Sequence, residues 1–185
     1  MGLLSGGLAI FLVLHLATVT PGVRRALVRR VGENVWKGVV AVGSLAAIVL
    51  IVSGWGDSPA TALFAPSAVA VRLAPPLVSL ALVLFVIGGA GLAGHIRFRL
   101  RHPMLIGVGI WSATHLLANG GLRETLLFGT FLAFSVYALI ALLLSGKRPH
   151  FVPKARWDLI GLGVGLFVAI GAMHGHRWLF GVAVT

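Results

Sequence analysis

Two histidines, His15 and His115, stand inside apolar runs where ionisable side chains are rare. His115 follows His102 by thirteen residues, in the stretch Arg101-His102-Pro103-Met104-Leu105-Ile106-Gly107 that leads through Trp111 to His115. At helical spacing, Gly107, Trp111, His115 and Asn119 share one face, and so do Gly7, Phe11 and His15, with Thr18 nearby. Each histidine thus has an aromatic residue one turn away and a glycine two turns away. Two imidazoles on separate helices could hold one metal centre from opposite sides. Glycines would leave room for a flat macrocycle and the aromatic rings would stack on it. The same spacing also suits polar residues that only hydrogen-bond to neighbouring helices, and spacing alone leaves both readings open.

Composition narrows the setting. The chain is 58% hydrophobic and only 10% charged, with a mean hydropathy of +1.03, which describes an integral membrane protein. The net charge of +11 comes from short basic clusters between apolar runs. That pattern fits loops that hold orientation and argues against nucleic acid as a partner. Cysteine is absent, so thiolate-ligated haem and cysteine-bound iron–sulfur clusters are excluded and histidine is the main candidate ligand. Glu33, Asp57, Glu124 and Asp158 are the only acidic residues, and no two are close in sequence. Paired-carboxylate hydrolysis and a carboxylate proton relay therefore lack their components.

Six apolar runs, at about 2–20, 35–55, 73–93, 103–119, 124–145 and 158–174, each approach the length of a span. Arg24, Arg25, Arg29, Arg30, Lys37, Arg97, Arg99, Arg101, Lys147, Arg148, Lys154 and Arg156 fall on one side, against Arg72, Arg123 and Arg177 on the other. This bias predicts an all-α, polytopic bundle of six transmembrane helices, one domain over 1–185. Both termini would be extracytoplasmic. The first run lacks a basic start and reads as a retained helix. Pro21-Gly22 ends it, Pro59 and Pro66 keep the second connection non-helical, and Pro103 opens the fourth helix. Gly161 and Gly165 have the small-xxx-small spacing of a helix contact. At about 1.5 Å per residue, His15 is expected roughly 7 Å nearer the cytoplasmic side than His115.

His102, with Arg101, Arg97 and Arg99, would lie at the cytoplasmic mouth of the fourth helix, suited to carboxylates, phosphates or lipid headgroups. His95 and His150 lie in basic loops and read as solvated. His174 and His176 flank the outer end of the last helix. His102, His174 or His176 could each replace His15 as the partner of His115.

The chain resembles the NnrU family of bacterial membrane proteins. The resemblance runs through Pro21-Gly22-Val23-Arg24, Gly32-Glu33 and Gly43-Ser44-Leu45. It is densest over Arg101 to Gly107, Trp111, His115-Leu116-Leu117-Ala118-Asn119-Gly120 and Leu127-Phe128-Gly129, and it ends at His176-Arg177-Trp178-Leu179-Phe180-Gly181-Val182. The family is similar to the plant 15-cis-ζ-carotene isomerase. That resemblance implies haem b with His15 and His115 as axial ligands, Trp111 beside the cofactor, and Arg24, Arg25 and Arg101 as candidates for its propionates. It further implies redox-dependent cis–trans isomerisation of a lipophilic polyene, with His115, His102 and Arg101 as candidate catalytic residues. The plant enzyme has a cysteine directly after the tryptophan and this chain has Ser112, so a thiol cannot serve as an alternative ligand.

The family's association with nitrite and nitric oxide reduction implies a second role, a non-enzymatic accessory or assembly protein for denitrification. Its partners would be a respiratory membrane complex or a second copy of itself. Arg101-His102-Pro103 with Gly107 also resembles membrane methyltransferases, but the paired glutamates those enzymes carry later in the chain are missing here.

Overall fold

The computed structural model describes residues 1–59, 61–146 and 148–180. Lys147 and the Gly181-Val182 end of the last motif lie outside the described residues. The chain forms helices α1 (Gly2–Val19), α2 (Pro21–Val31), α3 (Glu33–Gly56), α4 (Ala68–Gly89), α5 (His95–Leu100), α6 (Pro103–Ala118), α7 (Leu122–Leu144) and α8 (Ala155–Phe180). Among the described residues the only β pairing is an isolated bridge between Ala62 and Gly121. α1, α3, α4, α7 and α8 are each long and apolar enough to cross a membrane, and α6 is a shorter apolar helix of 16 residues. Outward faces are apolar too: Phe167 is 77% exposed and Val42 70% exposed, as lipid contact requires.

Two of the basic connections form short helices, α2 and α5. Pro21 both ends α1 and opens α2, because a proline at the first helical position loses no hydrogen bond. The third apolar run is displaced from its expected place at 73–93. Helix α4 starts at Ala68, where the Ser67 hydroxyl accepts the Ala70 N–H at 3.3 Å, and it runs through Pro75 and Pro76. The prolines withhold the usual donors from the Val71 and Arg72 carbonyls, and one turn on the Ser79 hydroxyl donates to the Pro75 carbonyl at 2.7 Å.

The helices pack as two compact units, Met1–Ala65 with Gly120–Ser145, and Pro66–Asn119 with the described residues from Gly146 on. In the first, α1 and α3 run antiparallel, joined where glycine removes a side chain. A Cβ on Gly54 would strike the Leu4 backbone, one on Gly7 would lie 2.8 Å from the Ala47 carbonyl, and one on Gly43 would strike Leu14. In the second unit α4 is central, with α6 and α8 both antiparallel to it. A Cβ on Gly107 would lie 2.5 Å from the Ala81 carbonyl, and one on Gly165 would lie 2.6 Å from Val83 Cα. The Gly161/Gly165 spacing therefore marks a helix contact, while Gly163 between them faces open space.

At the start of α5 the second unit is held by one carboxylate. Asp158 on α8 accepts the backbone N–H groups of His95 at 2.8 Å and Ile96 at 2.9 Å, and pairs with His95 Nδ1 at 3.0 Å. His95 is exposed, as its basic loop suggested, and is also paired with Asp158. His150 is exposed, as expected.

Overfilling a packed contact costs about 1–3 kcal/mol. Gly165→Leu should accordingly lower the thermal midpoint of the detergent-solubilised protein by several degrees, whereas Gly163→Leu should leave it unchanged. Circular dichroism melts of the two variants check this.

Candidate functional site

In the first unit, Gly7, Phe11 and His15 occupy one face of α1. Gly7 is filled by the backbone of α3. One turn on, Phe11 stacks on His15 with ring centroids 3.9 Å apart and planes 23° apart. Phe131 and Phe134 from α7 complete an aromatic cluster, and Phe134 meets the His15 ring edge-on at 5.6 Å. His15 Nδ1 lies 2.8 Å from the Phe11 carbonyl. A carbonyl only accepts, so Nδ1 carries the proton of this hydrogen bond and Nε2 is the other ring nitrogen.

The second unit repeats the arrangement on α6. Gly107 is filled by α4, Trp111 lies 5.3 Å from the His115 ring at 50°, and His115 Nδ1 donates to the Trp111 carbonyl at 2.9 Å. Again the proton is fixed on Nδ1. Asn119 Nδ2 donates to the His115 carbonyl at 2.7 Å, which ends the helix on the face that carries the histidine. Ser112 is wholly buried and turns its hydroxyl back to the Val108 carbonyl at 2.6 Å, so it presents nothing to the histidine.

Gly7 and Gly107 were expected to leave room for a macrocycle, yet both spaces are taken by a neighbouring helix backbone. They place the histidines by fixing which face of each helix is packed.

His176 on α8 lies within electrostatic reach of His115 in the same unit. His174, one turn after Ile170, donates Nδ1–H to the Ile170 carbonyl at 2.9 Å on an exposed face. Among the described residues, no three histidine or carboxylate groups gather as a metal cage. A site with two axial ligands does not need one.

At the opposite end of α6, Arg101 has φ +62° and ψ −48°, and the His102 N–H reaches the Leu100 carbonyl at 2.7 Å. This is the strained, positive-φ form of γ-turn, of order 1–3 kcal/mol above a relaxed residue. It joins α5 to α6 across only Arg101 and His102, and it buries His102 Nε2 with no partner among the described residues. Burial, and after it the Arg101 charge, hold the His102 imidazole below the usual histidine value. Arg101 and His102 stand out in the sequence by charge, but the strain does not, since a positive φ at a non-glycine residue leaves no compositional trace.

The three arginines matched to propionates differ in their engagement. Arg24 is paired with Glu33 at 2.6 Å, Arg25 stands exposed on α2, and Arg101 is half-buried in the strained turn. Arg97 is committed to the Gly91 carbonyl and to the face of Phe151.

A family model described as NnrU protein matches residues 3–184, nearly the whole chain. The chain belongs to the NnrU family. No curated protein and no solved structure matches it. Family membership and the apolar helices together make this a multi-pass membrane protein.

A histidine whose folded pKa is depressed binds its proton later than the unfolded chain does, so stability falls as pH drops below about 6.5. Wild type should lose more thermal stability than His102→Gln between about pH 7.5 and about pH 5.5. Parallel melts at the two pH values check this, and equal losses would contradict it.

Proposed function

We propose that this NnrU-family protein binds haem b with His15 and His115 as its axial ligands. The observation that carries the reading is the pair of Nδ1–H donations to the Phe11 and Trp111 carbonyls. A ligating histidine commonly gives its other ring N–H to such a carbonyl, which fixes the tautomer, orients the ring and raises the basicity of the ligating nitrogen. Both imidazoles have this preparation, and each has an aromatic ring against it that restricts its rotation. The six apolar helices would all span the membrane, with both termini extracytoplasmic, following the basic bias of the connections.

The residues divide the remaining work. Arg24 is neutralised by Glu33 and Arg25 faces outward, which leaves Arg101 as the counter-charge for a propionate. Trp111 and Phe11, each in ring contact with its histidine, would shield one side of the imidazole. Haem b held by His15 and His115 would supply the redox chemistry that cis–trans isomerisation of a lipophilic polyene would use. The methyltransferase reading is disfavoured, because Asp158 is the only acidic residue after α7 and its carboxylate already holds the start of α5.

A second ligand assignment has a specific observation behind it, since His176 lies within electrostatic reach of His115. Absorption spectra separate the two. Protein purified from haem-sufficient cells should show a Soret band, with sharp α and β bands on reduction. His15→Ala and His115→Ala should each abolish the six-coordinate spectrum, while His176→Ala should keep it. Loss in His176→Ala with retention in His15→Ala would move the second ligand to α8. A colourless wild type would overturn haem binding and favour the accessory role.

A further inference from the structure

We propose that the seam between α1 and α7, in the first unit, is a binding site for one anionic phospholipid. The two helices run parallel along this seam and leave two adjoining hollows that share Leu12. The smaller, about 200 Å³, reaches toward Ser5. The larger, about 410 Å³, runs from Leu12 past Leu16 and Ala133 to Thr20 and Tyr137. Between Leu12 and Thr20 the helix advances about 12 Å, close to the roughly 15 Å of hydrocarbon in one leaflet. The hollow is open along its side, so a chain can enter from the bilayer.

Its polar end is built for a headgroup. The hydroxyls of Thr20 and Tyr137 meet at 2.9 Å on an exposed surface, at the point where α1 gives way to α2. Here a hydroxyl pair can bond to an ester carbonyl. Directly beyond, α2 presents Arg25, Arg29 and Arg30, all exposed, and none of them is in an ion pair among the described residues. Arg24 is neutralised by Glu33, which also holds Lys37, so the unpaired charge of this helix lies on the other three arginines. Along the chain, the apolar groove, the Thr20 hydroxyl and the exposed arginines of α2 follow one another in the order of acyl chain, ester and phosphate. The cationic end selects a lipid with net negative charge over a zwitterionic one. Basic residues at a membrane surface each favour anionic lipid by about five-fold.

Native mass spectrometry of the full chain in detergent tests this, with dioleoylphosphatidylglycerol and dioleoylphosphatidylcholine as probes. The wild type should retain one phosphatidylglycerol at least about five-fold more tightly than phosphatidylcholine. Arg25→Gln should reduce that preference several-fold, and Ala133→Trp, which fills the hollow, should release both lipids. Should Ala133→Trp fail to fold, Tyr137→Phe keeps the shape of the seam and should still weaken phosphatidylglycerol binding. Equal binding of the two lipids would overturn the proposal. So would a folded Ala133→Trp or Tyr137→Phe variant that binds phosphatidylglycerol as the wild type does, or a headgroup-free hydrocarbon, squalene, that binds as tightly.

Discussion

Close approach of helix backbones at glycine is the contact on which the rest of the structure depends. Lipid tails are as apolar as leucine, so helices in a bilayer gain little from hiding leucine against leucine. What holds them is surface fit, and a missing side chain gives the closest fit. Gly7, Gly43 and Gly54 bring α1 against α3, while Gly107 and Gly165 bring α6 and α8 against α4. Glycine is unfavourable in an isolated helix interior by about 1 kcal/mol relative to alanine, and the packing it allows must offset that. Gly163, which faces open space, lies between two glycines that do not, so position on the helix face decides the role.

That packing orients the chemistry. Once Gly7 and Gly107 are fixed against their neighbours, the residues four and eight places later on the same stripe are set as well. The stripe carries an aromatic ring and then a histidine, and the histidine reaches back to the carbonyl one turn earlier. A neutral imidazole protonated at Nδ1 has its lone pair on Nε2, the state a metal ligand needs. In each unit a backbone contact thereby orients an imidazole through its own helix carbonyl.

Much of this was legible in the sequence. Apolar run lengths located the helices, Pro103 located the start of α6, and four-residue spacing placed Phe11 with His15 and Trp111 with His115. The glycines were misread as room for a cofactor because a sequence does not say which neighbour fills the space. The helical character of α2 and α5 was missed because high charge in a short segment reads as a loop; both are held from outside the segment, α5 by Asp158 from α8. The γ-turn at Arg101 left no compositional trace, since positive φ in a non-glycine residue is imposed by its surroundings.

In the proposed site two imidazoles, each fixed by its own helix carbonyl, would ligate one iron. Pulsed electron–nuclear double resonance of the ferric protein, grown with 15N-histidine, reads the nitrogens on the metal directly. Two strongly coupled imidazole nitrogens of neutral, Nδ1-protonated rings are the result this account predicts. One such nitrogen, or none, would contradict it.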